Sequence, residues 1–160
     1  MWSKVKSNNH QDLFNRCRDY AFRLLKFRMR SENELSGRLK RKHFDCETIA
    51  KVISFLKEKR FIDDREFTRQ WIADKLKRPL GLRRIKQELK IKGVEENIIA
   101  EGLGEVKNNY NEESIVWELA RQRIKRLAGI EPKKARQRIY SYLLRRGFSL
   151  DIVCDVVKQL

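Results

Sequence analysis

This 160-residue chain carries one pattern three times, and that repetition limits its fold more than any other feature. His43, Gly93 and Gly147 align as anchors, each preceded by a basic residue (Lys42, Lys92, Arg146) and followed by an apolar one (Phe44, Val94, Phe148). Leu39/Leu35, Leu89/Ile85 and Leu143/Ile139 lie four and eight residues upstream. Downstream, offsets of six, nine, ten and thirteen give Ile49/Val52/Ile53/Leu56, Ile99/Gly102/Leu103/Val106 and Val153/Val156/Val157/Leu160. Of these 21 positions, 20 are apolar, with Gly102 the exception. A 41% hydrophobic composition would give roughly nine, so the columns are a shared core pattern. The anchors stand 50 and 54 residues apart, a spacing typical of helical repeat arrays. One such unit buries too little surface to be secure alone, which predicts three modules sharing a continuous core.

Within each unit, apolar residues recur at three and four, the helical period. The first unit reads as helices from about Gln11 to Met29, Ser31 to Lys42 and Asp45 to Lys59. Ser31 and Glu34 form a capping-box pattern, and Asp45 suits an N-cap. In the second unit, Asp63 or Asp64 caps a helix through Leu76, ending before Pro79. Its middle helix spans about Gly81 to Lys92 with Gly93 as C-cap, and its last runs from about Glu95 to Lys107. The third unit follows the polar run 107–111, pauses at Gly129 and Pro132, and ends its middle helix at Gly147. The fold expected is all-α: three tandem three-helix repeats (11–59, 60–108 and 109–160) after a flexible 1–10, forming an elongated, curved array.

The formal net charge is +16, and it is spread along the chain rather than gathered in a tail. Basic residues exceed acidic ones by 7 in 1–58, by 4 in 59–110 and by 5 in 111–160. Such a balance in the folded modules points to a polyanionic partner or an acidic protein surface. No stretch approaches the roughly twenty apolar residues of a membrane span, and the N-terminus lacks a signal-peptide apolar region. Cys17, Cys46 and Cys154 form no CxxC pair, which fits a reduced, intracellular chain with cysteines buried as small hydrophobes.

Catalysis finds little support. Asp63 and Asp64 are adjacent carboxylates, but a cation needs several more donors, and their place before a helix suits capping and the helix dipole. His43 stands where the other units carry glycine, so it reads as a turn residue. Trp71, Trp117, Phe22 and Phe55 sit at helical spacing and read as core. The middle helices concentrate the basic residues, and the last helices are richer in acid, as in Glu95, Glu96, Glu101 and Glu105. Stacked in similar orientation, the middle helices would form an interrupted basic stripe. The candidate contacts are Arg38, Arg41, Lys42, Arg83, Arg84, Lys86, Lys90, Lys92, Arg136, Arg138, Arg145 and Arg146. No cofactor or metal site is expected.

Several stretches resemble the RecX family. They are Tyr20-Ala21-Phe22-Arg23-Leu24-Leu25, then Arg28-Met29-Arg30-Ser31-Glu32-Asn33-Glu34-Leu35, and above all Phe61-Ile62-Asp63-Asp64-Arg65-Glu66-Phe67. Glu88-Leu89-Lys90-Ile91-Lys92-Gly93 and Leu143-Leu144-Arg145-Arg146-Gly147-Phe148 extend the likeness to nearly the whole chain. It departs from the family pattern at Pro79-Leu80-Gly81-Leu82, where Gly-Pro is common, and at Lys42-His43-Phe44, where KGF is usual. The resemblance implies a non-enzymatic, all-helical protein of the bacterial cytoplasm. It implies binding to the RecA–DNA filament and restraint of RecA strand exchange, ATPase and coprotease activity in recombination, DNA repair and the SOS response. On this reading the chain is a monomer that contacts the RecA nucleoprotein filament and the phosphate backbone of single- or double-stranded DNA, with no membrane role. A stand-alone basic DNA-binding protein is the alternative, and a metal-dependent nuclease using Asp63 and Asp64 is a more distant one.

Overall fold

The structure, a computed structural model, describes the backbone of residues 2–160 and the side chains of residues 10–160. Those residues form nine α-helices and no strand: α1 (Trp2–Phe27), α2 (Glu32–Arg41), α3 (Cys46–Glu58), α4 (Asp64–Leu76), α5 (Leu82–Ile91), α6 (Glu96–Lys107), α7 (Glu112–Arg126), α8 (Pro132–Arg145) and α9 (Leu150–Lys158). The expected lead-in at 1–10 is helical from Trp2 onward, because neither glycine nor proline interrupts the chain before Phe27. All 21 repeat positions are buried or half-buried. The extra four residues between the second and third anchors lie in α8, which has 14 residues against 10 in α2 and in α5. Four residues add about one helical turn, so the apolar face keeps its register.

Among the described residues, extensive helix–helix packing occurs only inside the triplets α1–α3, α4–α6 and α7–α9. The core is accordingly three separate clusters rather than the continuous one expected. Only linker residues cross over: Met29 packs against the second cluster, and Ile62 belongs to the first. The reason lies in how the units meet. They join through helix ends, which offer backbone polar groups instead of apolar faces.

Each joint sets the C-terminal turn of one middle helix on the N-terminus of the preceding one. In the first, the Ser31 hydroxyl donates to the Lys92 carbonyl (2.6 Å) while accepting from the Glu34 N–H (3.1 Å). The Glu32 N–H donates to the Asp64 carboxylate (2.8 Å). In the second, the Gly81 N–H donates to the Arg146 carbonyl (2.9 Å), and the Tyr110 hydroxyl donates to the Leu80 carbonyl (2.6 Å). Glu112, which corresponds to Asp64, turns its carboxyl toward the backbones of Ser149 and Leu82. Helix dipoles therefore meet head to tail at both joints.

These contacts explain the departures from the repeat. Gly93 and Gly147 hold φ of +74° and +81°, and a Cβ on either would overlap Asn33 or Arg84 of the preceding unit. His43 adopts φ 66° in the same turn, but no unit among the described residues docks against it, so a side chain fits. Gly81 is needed because a Cβ there would overlap the Gly147 backbone. At Gly102 a Cβ would lie 2.9 Å from Thr68 Cγ2 and 3.1 Å from Ile72 Cδ1, so the broken apolar column lets α6 approach α4 closely.

Some local readings are corrected. Asp63 is the N-cap of α4, accepting from the N–H groups of Arg65 and Glu66, whereas Asp64 serves the first joint. Glu34 completes no capping box; its carboxylate goes to Arg28 and Lys92 instead. Asp45 caps α3 as expected. Only Cys17 is buried, its thiol pushed up to about 11 by desolvation and the Asp45 charge, while Cys46 is exposed at the start of α3.

Candidate binding groove between the second and third units

The basic residues of the middle helices divide into three groups in space. The first group is occupied in structural contacts. Lys92 reaches Glu34 across the first joint (2.5 Å) and lies over the Trp71 ring, 4.8 Å from its centroid. Burial pushes the Glu34 carboxyl up, but hydrogen bonds and charge from Arg28 and Lys92 outweigh it and hold the group at about 2. At the second joint, Arg146 donates to the Pro79 carbonyl (2.9 Å), and Arg84 donates to Glu88 (3.2 Å) and the Arg145 carbonyl (3.3 Å).

The second group, which shares Arg84 with the first, lines a groove of about 870 Å³ between α5 and the α8–α9 turn. Arg83, Arg84, Lys86, Lys90 and Arg145 all border it, so five of the expected contacts converge there. Lys86 and Lys90 share Glu96, at 2.5 and 2.8 Å, and those two cations hold its carboxyl below the usual range. Arg83 and Arg145 have no carboxylate within ion-pair distance among the described residues. The groove is therefore most positive at the joint, where Arg83 and Arg145 lie, and partly neutralised further along α5.

The third group lies away from it. Arg38, Arg41 and Lys42 belong to α2 and its C-terminal turn, where Arg41 donates to the Gly37 carbonyl (3.2 Å) and Lys42 lies over the Tyr20 ring. Arg136 and Arg138 project from the exposed surface of α8. A single uninterrupted stripe does not form, because acidic residues of α2, α5 and α6 intervene.

Two groove residues were not foreseen. Ile91 (75% exposed) and Leu150 (45% exposed) are large apolar side chains beside the basic rim. Ile91 falls outside every apolar column of the repeat, which was the available signal in the sequence. Trp71, Trp117, Phe22 and Phe55 pack against the three cores as expected. Asp63 and Asp64 belong to no group of three or more potential metal ligands among the described residues, and Asp64 is held by Glu32 with its pKa raised by burial.

The fold and groove define a class: a three-unit helical-repeat protein with a basic, partly apolar cleft and no helix, among the described residues, long and apolar enough to cross a membrane. Family models described as the first, second and third three-helix domains of RecX match residues 17–56, 63–103 and 111–157. The chain belongs to the RecX family. It is 33% identical over 159 residues to a "Regulatory protein RecX" of Clostridium botulinum (strain Alaska E43 / Type E3), covering 98% of this chain and 74% of the relative. A protein of the same description from Chlorobaculum tepidum is 33% identical over 141 residues, covering 88% and 85%. The crystal structure of RecX from Lactobacillus salivarius superposes with a TM-score of 0.80 at 21% identity, over 94% of this chain and 97% of that one. A second RecX crystal structure gives 0.85 at 19% identity, covering 100% and 78%. Its relatives are thus named as regulatory proteins.

Proposed function

We propose that this chain is a non-catalytic regulator that binds the RecA–DNA filament in the bacterial cytoplasm and restrains RecA strand exchange, ATPase and coprotease activity. The observation that carries the reading is the groove between the second and third units, in a chain of this family. Arg83 and Arg145 offer unpaired guanidinium groups to phosphate or carboxylate, and Ile91 and Leu150 add apolar surface for a protein partner. A monomer with several such weak sites gains avidity along a filament that repeats its own surface.

The test is a titration against RecA ATPase on single-stranded DNA, beside a DNA-only binding control. Arg84 is a poor choice for charge reversal, since it also holds the second joint. Neutralising Arg83 and Arg145 to Gln removes no hydrogen bond across the joints and should weaken inhibition at least tenfold with an unchanged helical circular dichroism spectrum. Undiminished inhibition by that variant would sink the groove as the contact surface. Tight DNA binding with no effect on RecA would favour the stand-alone DNA-binding reading, to which the net charge of +16 lends support.

A further inference from the structure

The two joints repeat the same backbone arrangement but invert one charge. Glu34 and Arg84 are equivalent, each the third residue of its middle helix, and Lys92 and Arg146 are equivalent in the turns that dock on them. In the first joint the pair is opposite in sign and closes at 2.5 Å. In the second joint both members are arginine. Arg84 turns to Glu88, a carboxylate it shares with Lys75 (2.6 Å), and Arg146 turns to the Pro79 carbonyl and the Tyr142 ring. Arg78 adds a third guanidinium, and neither it nor Arg146 has a carboxylate within ion-pair distance among the described residues. Asp74, the other nearby acid, is committed to Lys77 (2.5 Å). Between these groups lies a cleft of about 420 Å³.

We propose that this cleft is an oxyanion site of the phosphate class, held by Arg84, Arg146 and Arg78, and that filling it closes the second joint as Glu34 closes the first. Three guanidinium groups line the cleft beside two carboxylates that are already paired, Glu88 with Lys75 and Arg84 and Asp74 with Lys77, so an oxyanion ligand would supply the charge that Glu34 brings to the first joint. Guanidinium forks suit tetrahedral oxyanions through paired N–H donors. The cleft exists only when the third unit is docked, because Arg146 comes from the turn after α8 and Arg84 from α5. An anion bound there favours the docked state by mass action. The inference goes beyond the proposed function, since it concerns the isolated protein and needs no RecA.

Two backbone amides report the joints separately in hydrogen exchange of the full chain by NMR. The Gly81 N–H bonds across the second joint and the Glu32 N–H across the first. At constant ionic strength, replacing chloride by inorganic phosphate at ten times its dissociation constant should slow Gly81 exchange about tenfold and leave Glu32 unchanged. Arg84→Glu places a carboxylate at the position Glu34 holds in the first joint, so its Gly81 should be slow in chloride and indifferent to phosphate. Arg84→Gln should lose the phosphate response without gaining protection. A short single-stranded oligonucleotide in a parallel arm separates sources: slowing with phosphate assigns a free oxyanion, and slowing with oligonucleotide alone assigns a backbone phosphodiester. No slowing in either arm, equal slowing of both amides, or a full phosphate response in both Arg84 variants would overturn the site.

Discussion

One carboxylate, Glu34, ties three segments together: Arg28 beyond the end of α1, its own helix α2, and Lys92 of the second unit. Its ordinary pKa is 4.5, and in the folded chain it is about 2. A depressed carboxyl stabilises the fold above its unfolded pKa and loses that contribution as pH falls through the folded one. The relevant window is therefore about pH 5 down to about pH 2. Glu34→Gln should cost about 2 kcal/mol at pH 7, the scale of hydrogen bonds to a charged group. Its melting temperature should converge on the wild-type value across that window; parallel curves down to pH 2 would refute the assignment. The turn glycines make a second residue-scale contrast. Gly93→Ala meets both a left-handed φ and the Asn33 side chain, and should lose on the order of 2 kcal/mol in urea unfolding. His43→Gly, in the same turn with no docked neighbour, should change stability by less than about 0.5 kcal/mol.

At the scale of the element, α6 shows how a gap in a pattern becomes a packing device. Gly102 breaks the apolar column, and the α4 surface formed by Thr68 and Ile72 comes into contact there. Gly102→Leu would complete the column yet overpack that contact, at about 1–3 kcal/mol. A thermal melt of this variant that matches wild type would show that α4 and α6 have room to separate. The helices themselves were legible because each repeats an amphipathic stripe, and several start on a side-chain cap, as with Asp45 before α3. The joints were not legible, because they are made by backbone groups that hydropathy does not mark. Ser31 reads in sequence as a simple cap, and only the fold reveals that its hydroxyl also donates to Lys92, 61 residues away. The basic stripe was half legible for a related reason: counting Lys86 and Lys90 on α5 says nothing of Glu96 facing them from α6.

For the whole molecule, the question is how much of the +16 charge is available to a polyanion. Of the twelve candidate contacts, Arg84, Lys86, Lys90 and Lys92 are ion-paired, which leaves eight without a carboxylate partner among the described residues. Single-stranded DNA gives a log–log salt slope of roughly −0.7 per neutralised phosphate, so eight contacts set a ceiling of about −6. A slope steeper than that would mean that basic residues outside these eight, or internal ion pairs that open on binding, also meet phosphate. Neutralising Arg83 and Arg145 to Gln should reduce the magnitude by about 1.4, because each exchanges counterions with DNA directly. Lys92→Gln should leave it within about 0.3, because that ammonium is already neutralised by Glu34 and seated on Trp71. Fluorescence anisotropy with a labelled oligonucleotide between 50 and about 200 mM salt measures all three slopes. If Lys92→Gln flattened the slope as much as the groove variant did, charge would act as a diffuse field around the array, and the groove would lose its claim to be the contact.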